Sequence, residues 1–392
     1  MKYYRYITLL IVMIMSLAWI AGCGLVKVDP EKDRRRVVAE VDGDKILKGE
    51  FLDLYNQQKV YWGITEDIEK SEQYKDFIEE MKKDILEQLV ERQLVKNKAK
   101  ESGFDVNDGY TEKAREDLEA QIKQYAEFLK KQGEEEKTDE EYYREAREVW
   151  EGQLTSLGIS EEEYIEMLAE DLMLIEFSEK MLEDVEVTDE DIQAYYLDNL
   201  MKQKEDPTLI QTAEVQLYRP PGMVRIKHIT LPLPSSEQDE YNRLVQEEGQ
   251  EEADKYLKEK LEAIKPKAQE VYEKAIAGES FESLIETYGD DTTAYNKDEG
   301  YVIYEGSGMF IDEIEKAILE MKENEISQPL ESPYGYHIIK LYKILPEEEF
   351  SIEDKKEEIK TVIIEDKKND RWNSLIEEWK EKAKIKKYEN RL

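Results

Sequence analysis

The chain of 392 residues contains two histidines, His228 and His337. His228 lies in the alternating segment Val224–Leu231, and His337 lies in Tyr336–Tyr342, so both are predicted to be on strands. Two imidazoles on adjacent strands can share a hydrogen bond, which fixes the tautomer of each ring. We therefore expect either a pair that shapes and polarises the floor of a site, or a buried polar network with a purely structural role.

The residues needed for other common chemistries are missing. Cys23 is the only cysteine, so together with two histidines it cannot form a usual zinc site or an internal disulfide. We find no phosphate-binding loop, dinucleotide fingerprint or nucleophile elbow. The chain has 94 acidic residues, so two carboxylates close in sequence indicate little. We expect no cofactor and no metal.

The two histidine segments resemble the histidine strands of the parvulin family of peptidyl-prolyl isomerases. Between them, Phe281–Tyr288 is similar to the helix that leads to the family's active-site loop, and Asn324–Leu330 is similar to its turn before the last strand. The similarity covers residues 222–345. It implies an inserted α/β domain, with a small mixed or antiparallel sheet flanked by helices, that isomerises Xaa-Pro bonds (EC 5.2.1.8).

The resemblance also implies which residues form the site. The catalytic candidates are His228, Asp291, His337 and Ser332. The candidates for substrate binding are Tyr301, Met309, Phe310, Ile314 and Tyr334. Asp291 would act electrostatically, unless it is simply a solvated loop acid, and the apolar candidates would hold the proline ring unless they are ordinary core residues. The family's glycine-rich loop is replaced by Lys297–Val302, so weak or absent isomerase activity stays open.

The rest of the chain has mainly helical patterns. Apolar residues recur at helical spacing over residues 74–100, and two charged helices are predicted at 111–132 and 139–156, closed by Gly133 and Gly158. Val37–Phe51 is similar to the start of the chaperone domain in SurA- and PrsA-type foldases. The predicted class is α+β, with a discontinuous helical chaperone domain of residues 37–221 and 346–392. We expect the C-terminal helix to bury its apolar face on the N-terminal helices, because a helix cannot bury that face alone.

The N-terminus is predicted to be a targeting signal. Lys2 and Arg5 precede an apolar run, Ile7–Ile20, that is too short for an ordinary membrane span. The run ends in Ile20-Ala21-Gly22-Cys23, which resembles the bacterial lipobox. That resemblance implies a signal peptide of residues 1–22, a diacylglycerol-bearing Cys23 and a lipidated tether over residues 23–36. An uncleaved anchor with an incidental cysteine is the alternative.

The net charge of −38 limits the partners that the surface can bind. Such a surface repels nucleic acid and anionic headgroups, so we expect no nucleic-acid partner and a membrane link through the lipid alone. The resemblance to parvulins and to SurA- and PrsA-type foldases implies that the partners are unfolded or newly exported polypeptides that contain Xaa-Pro bonds. A homodimer is left open.

The resemblance implies two alternative functions. The first is an extracytoplasmic foldase, lipid-anchored to the outer face of the cell membrane, that isomerises prolyl bonds and assists the folding of exported proteins. The second is a holdase chaperone whose parvulin-like domain only binds unfolded clients. A structural lipoprotein with neither activity is a third, less favoured reading.

Overall fold

The computed structural model describes residues 30–132, 137–293 and 295–392. The signal peptide of residues 1–22, the tether residues 23–29 including Cys23, and Gly133 lie outside the described residues. Two compact units make up the described chain. The first unit comprises the described residues through Glu186 together with Ile364–Leu392, and the second unit is Val187–Ile363.

The first unit consists mostly of helices. Their bounds are α1 Pro30–Arg34, α2 Lys48–Tyr61, α3 Glu66–Glu69, α4 Lys75–Glu101, α5 Tyr110–Gln132, α6 Asp139–Leu157 and α7 Glu161–Met181. Two of them begin with a capping box. The side chains of Thr138 and Glu141 start α6, and those of Ser160 and Glu163 start α7, so each pair satisfies backbone N–H groups that the first helical turn leaves free.

A small antiparallel sheet joins the two ends of the described chain within the first unit. Its strands are β1 Val37–Val41, β2 Asp44–Leu47 and β9 Ile385–Lys387, with β1 in the centre. The last helix, α13, runs from Ile352 to Lys382. Its residues Leu375, Ile376 and Trp379 are buried in the same core as the helices α4 to α7.

The second unit contains the remaining elements. Its helices are α8 Asp189–Glu205, α9 Ser235–Glu247, α10 Gln250–Ile276, α11 Phe281–Tyr288 and α12 Asp312–Leu319. Its strands are β3 Tyr218–Arg219, β4 Met223–Pro232, β5 Tyr301–Ile303, β6 Leu330–Ser332, β7 Gly335–Leu345 and β8 Glu348–Glu349. Four of these strands form an antiparallel sheet in the order β5-β4-β7-β6, and β3 pairs with β8. The predicted α+β class is confirmed.

The four-stranded sheet is covered on both faces, because side chains alternate along β4 and β7. On one face, Ile229, Leu231 and Ile338 pack with α10 and α11. On the opposite face, Ile226 and Ile339 pack with α12. The two histidines lie on this second face, so the backbone of β4 and β7 supports both side chains.

The second unit is larger than the predicted domain of residues 222–345. A separate apolar cluster joins Ile192 of α8, Leu217 and Ile359 of α13, and these contacts extend the unit to Val187 and Ile363. Helical periodicity also predicts a charged helical stretch over residues 236–278, and the structure divides it at Gly249 into α9 and α10. Both differences depend on tertiary packing and local backbone geometry that helical periodicity does not report.

Candidate functional site

The two histidines lie close together on paired strands. In the β4–β7 ladder, His337 is directly opposite Thr230, and His228 is opposite Ile339. Residues two apart on a strand share a face, so His228, Thr230 and His337 all point to the same side of the sheet. Both histidines are 7% exposed.

A row of hydrogen bonds links five side chains, and we call it the histidine row. Oδ2 of Asp291 lies 3.2 Å from Nε2 of His228, whose Nδ1 lies 3.0 Å from the Thr230 hydroxyl. The same hydroxyl lies 3.3 Å from Nδ1 of His337, whose Nε2 lies 2.8 Å from the Ser332 hydroxyl. The predicted direct bond between the imidazoles is therefore wrong, because the Thr230 hydroxyl stands between them.

These contacts fix the direction in which each hydrogen points. The Asp291 carboxylate can only accept, so His228 carries its proton on Nε2 and has an unprotonated Nδ1. The Thr230 hydroxyl must donate to that Nδ1, and its oxygen then accepts from Nδ1–H of His337. Nε2 of His337 in turn accepts from the Ser332 hydroxyl. All four ring nitrogens are thus satisfied with both imidazoles neutral.

The electrostatic environment also favours neutral rings. Burial lowers the pKa of His337 to about 4, and the neighbouring His228 contributes to the shift. Burial also lowers the pKa of His228, although the Asp291 carboxylate acts in the opposite direction. Both imidazoles are therefore uncharged near pH 7.

Asp291 closes one end of the histidine row. The N–H of Asp290 donates to the carbonyl of Thr230 at 3.1 Å, which holds the segment after α11 against β4. The Asp291 carboxylate accepts from the Tyr301 hydroxyl at 2.7 Å and from the Thr293 N–H at 3.2 Å. Burial raises the pKa of Asp291, but the hydrogen bonds outweigh it, and the pKa lies below its usual range. Asp291 is thus a charged, partnered group.

Asn296 links this loop to β4 by hydrogen bonds, a role that the sequence analysis does not predict. Its side-chain amide is fully buried, accepts from the N–H of His228 at 3.1 Å, and donates to the carbonyls of His228 and Asp291, both at 2.9 Å. It therefore acts like a strand partner for His228, whose buried backbone groups need bonds. An asparagine in a polar loop gives no sequence signal of that role.

Ser332 closes the other end of the row through a tight turn. Its buried hydroxyl also accepts from the N–H of Tyr334 at 3.1 Å. Gly335 follows with φ of 143°, and a Cβ there would lie 2.1 Å from the carbonyl oxygen of Leu231. Only glycine fits this close approach, so the turn requires it. Tyr334 itself is 61% exposed.

Aromatic side chains form one wall of the site. The ring centroid of Phe310 lies 5.5 Å from each imidazole, edge to face. The Tyr301 ring lies 5.3 Å from His228. Met309, next to Phe310, is 37% exposed. Ile314 is only 3% exposed and packs in the core under these residues, so it supports the wall and has little surface to offer a ligand.

Residues 30–132, 137–293 and 295–392 contain neither a cluster that suits a metal ion nor a helix that could span a membrane. Within these residues, histidines and acids form no group of three that suits a metal ion. Their helices are also too short or too polar to cross a bilayer.

Comparison with known families agrees with this fold. Residues 247–343 match the model of the PPIC-type PPIase domain, and residues 1–178 match a SurA-like N-terminal domain. The predicted resemblance is therefore confirmed: one segment is similar to PPIC-type PPIase domains, and the other is similar to SurA-like N-terminal domains.

Individual relatives are similar to this protein over nearly the whole chain. The chain is 29% identical to a foldase protein PrsA of Clostridium kluyveri over 388 residues, which are 95% of this chain and 94% of that protein. It is 27% identical to PrsA of Clostridium botulinum strain Langeland over 379 residues, with the same coverage. A crystal structure of PrsA from Bacillus subtilis is 22% identical and covers 89% of this chain and 91% of its own, with a TM-score of 0.25.

Proposed function

We propose that the protein is an extracytoplasmic foldase that catalyses cis/trans isomerisation of Xaa-Pro bonds in exported polypeptides. The observation that supports this proposal is the histidine row, with the Phe310 ring 5.5 Å from both imidazoles. A neutral polar floor beside an aromatic wall suits a proline ring and its amide. We assign the activity to the second unit.

The reaction needs neither a nucleophile nor a metal. The prolyl amide rotates over a barrier of about 18–20 kcal/mol, and uncatalysed exchange takes tens to hundreds of seconds. Rotation breaks amide resonance, so the nitrogen becomes more pyramidal and the carbonyl oxygen loses negative charge. A catalyst must therefore bind the twisted amide better than either planar form.

Asp291 is the residue we propose for this differential binding. Its charged carboxylate lies at the open end of the row, with 23% of the side chain exposed. Repulsion between this carboxylate and the substrate carbonyl decreases as the carbonyl oxygen loses charge, so the twisted amide is favoured. Phe310, Met309 and Tyr301 would hold the proline ring and keep water away.

The histidines are assigned a positioning role. Every ring nitrogen of His228 and His337 has a partner inside the row, at 3.3 Å or less. None is left for a substrate, so the pair would act by holding Asp291 and Phe310 in place. Ser332 would serve the same purpose by fixing the tautomer of His337.

The proposals for the cellular location and for the client proteins are based on the sequence. We propose cleavage before Cys23 and lipidation of its sulfur, because small residues precede it at the end of the apolar run. Two or more acyl chains hold a protein firmly, whereas one does so only weakly. The charge of −38 favours clients with cationic segments.

A holdase without isomerase activity is the second candidate, and one feature of the first unit favours it. Tyr61, Trp62 and Phe77 are 64%, 60% and 45% exposed, and their rings lie edge to face in a row. Exposed aromatic clusters of this kind are typical of surfaces that bind polypeptides.

One pair of measurements separates the two candidates. Protein without residues 1–23 is added to an Ala-Pro peptide, and cis/trans exchange is followed by NMR. The proposal predicts an exchange rate that rises with protein concentration. If the exchange rate equals the background rate and the protein still suppresses aggregation of an unfolded client, the isomerase proposal fails and the holdase is the remaining candidate. Bovine serum albumin at equal mass controls for nonspecific effects.

A further inference from the structure

A buried carboxylate outside the histidine row organises the loop that carries Phe310. Glu315 lies in the first turns of α12 and is 3% exposed. It accepts hydrogen bonds from the N–H groups of Gly306 at 3.2 Å, Met309 at 3.1 Å and Phe310 at 3.4 Å. It also accepts from the Ser307 hydroxyl at 2.5 Å. The Glu315 carboxylate thus accepts hydrogen bonds from four residues of the loop 306–310.

Burial of this carboxylate makes the loop conformation specific. A buried charge is costly unless it is paired or fully hydrogen-bonded. Among the ion pairs of the described chain, none includes Glu315, so the loop donors and the start of α12 must stabilise its charge. A loop arrangement that withdrew these donors would leave the buried carboxylate unsatisfied.

The loop ends at the aromatic wall. Oε1 of Glu315 accepts from the N–H groups of both Met309 and Phe310. The Phe310 ring lies 5.5 Å from the imidazoles of His228 and His337. The position of Glu315 therefore determines how far the Phe310 ring lies from the histidine row.

We propose that Glu315 is a positioning residue for the proline-binding wall, acting through Phe310 and Met309 without touching the substrate. The kinetic part of this inference rests on the proposed isomerase function. Its structural part does not, because ring placement can be measured in protein without substrate.

The test uses Glu315→Gln in the protein without residues 1–23. Glutamine keeps the size of the side chain but replaces one acceptor oxygen with an NH2 group, which faces the loop donors and cannot accept from them. Glu313→Gln is the matched control, since Glu313 is an exposed acid on the same helix. Phe310→Ala supplies the reference for loss of the aromatic ring.

The first readout is the imidazole NMR spectrum, which contains signals from two histidines only. We expect both imidazoles in Glu315→Gln to move towards their positions in Phe310→Ala, while Glu313→Gln matches the wild type. The second readout is kcat/KM for the Ala-Pro peptide. Displacement of the wall by about 1 Å should lower it roughly tenfold to a hundredfold, mainly through KM.

Unchanged imidazole signals in folded Glu315→Gln would overturn the proposal. If that variant does not fold, Ser307→Ala replaces it, because it removes one contact to Glu315 and leaves the charge in place. In Ser307→Ala, imidazole signals that move in the same direction as in Phe310→Ala, but by less, would support the proposal. Imidazole signals that do not move would overturn it. If the wild type has no isomerase activity, the proposed function fails and the imidazole signals still decide the role of Glu315.

Discussion

The Thr230 hydroxyl is the central connection of the histidine row, and replacing it with a methyl group tests the row. Thr230→Val keeps the shape of the side chain and removes the partner of Nδ1 in both His228 and His337. Each imidazole is 7% exposed, so water does not readily replace the lost bond. An unsatisfied buried polar group costs roughly 1–3 kcal/mol, so the second unit should lose roughly 2–6 kcal/mol of unfolding free energy.

Urea unfolding can measure this loss in one unit at a time. The tryptophans of the described chain, Trp62, Trp150, Trp372 and Trp379, belong to the first unit, and both histidines belong to the second. Imidazole NMR signals therefore follow the second unit, and tryptophan fluorescence follows the first. With a urea m-value of about 1–3 kcal/mol/M, the midpoint of the second unit should fall by roughly 1 M or more.

The control for this experiment is Thr287→Val, which removes an exposed hydroxyl on α11. Its effect should stay within about 0.5 kcal/mol, as for most surface substitutions. A midpoint in Thr230→Val that matches this control would refute the hydrogen-bonded row. A lower urea midpoint by tryptophan fluorescence, with an unchanged midpoint by the imidazole signals, would also refute the row.

Three further predictions concern charge and packing. Because the pKa of His337 is about 4 when folded and 6.5 when unfolded, acid favours unfolding, and the second unit should lose up to about 3 kcal/mol between pH 6.5 and 4. Between pH 6.5 and 4, the urea midpoint of the second unit should fall less in His337→Gln than in the wild type. An equal fall in both proteins would count against the lowered pKa of His337. Asp291→Asn should fold but lower kcat/KM for an Ala-Pro peptide roughly tenfold to a hundredfold, and wild-type turnover would exclude an electrostatic role. Ile376→Ala should cost the first unit about 2–4 kcal/mol by tryptophan fluorescence, whereas an unchanged midpoint would mean that α13 does not support its core.

The main elements of the second unit follow from sequence periodicity. Val224–Leu231 and Tyr336–Tyr342 were predicted as strands, and they fall within β4 and β7. The limits of the unit could not be predicted in the same way. They depend on Leu217 and Ile359, which are distant in sequence and buried against α8. Burial of this kind arises from tertiary contacts.

The site was predictable where it follows strand geometry. Two histidines on neighbouring strands were expected to meet, and the structure brings them to one face. Thr230 could have been found as well, because a residue two positions after His228 must share its face. A direct bond between the imidazoles is expected only when the Thr230 hydroxyl between them is left out.

The loop residues of the site were hidden for a different reason. Asn296 and Glu315 act through backbone groups, and no residue pattern marks such contacts. Glu315 is also one of 94 acidic residues, most of which suit a solvated surface. Its importance emerges only from burial, because a carboxylate that is 3% exposed must have its charge stabilised.

An NMR titration with an Ala-Pro peptide tests most directly whether a proline binds and isomerises over the histidine row. The same spectra report the exchange rate of the peptide and the imidazole signals of His228 and His337. We predict that cis/trans exchange accelerates over the same range of peptide concentration in which both imidazoles shift, and that Phe310→Ala weakens both effects. Acceleration with unmoved imidazoles, or moved imidazoles with exchange at the background rate, would contradict the proposed site.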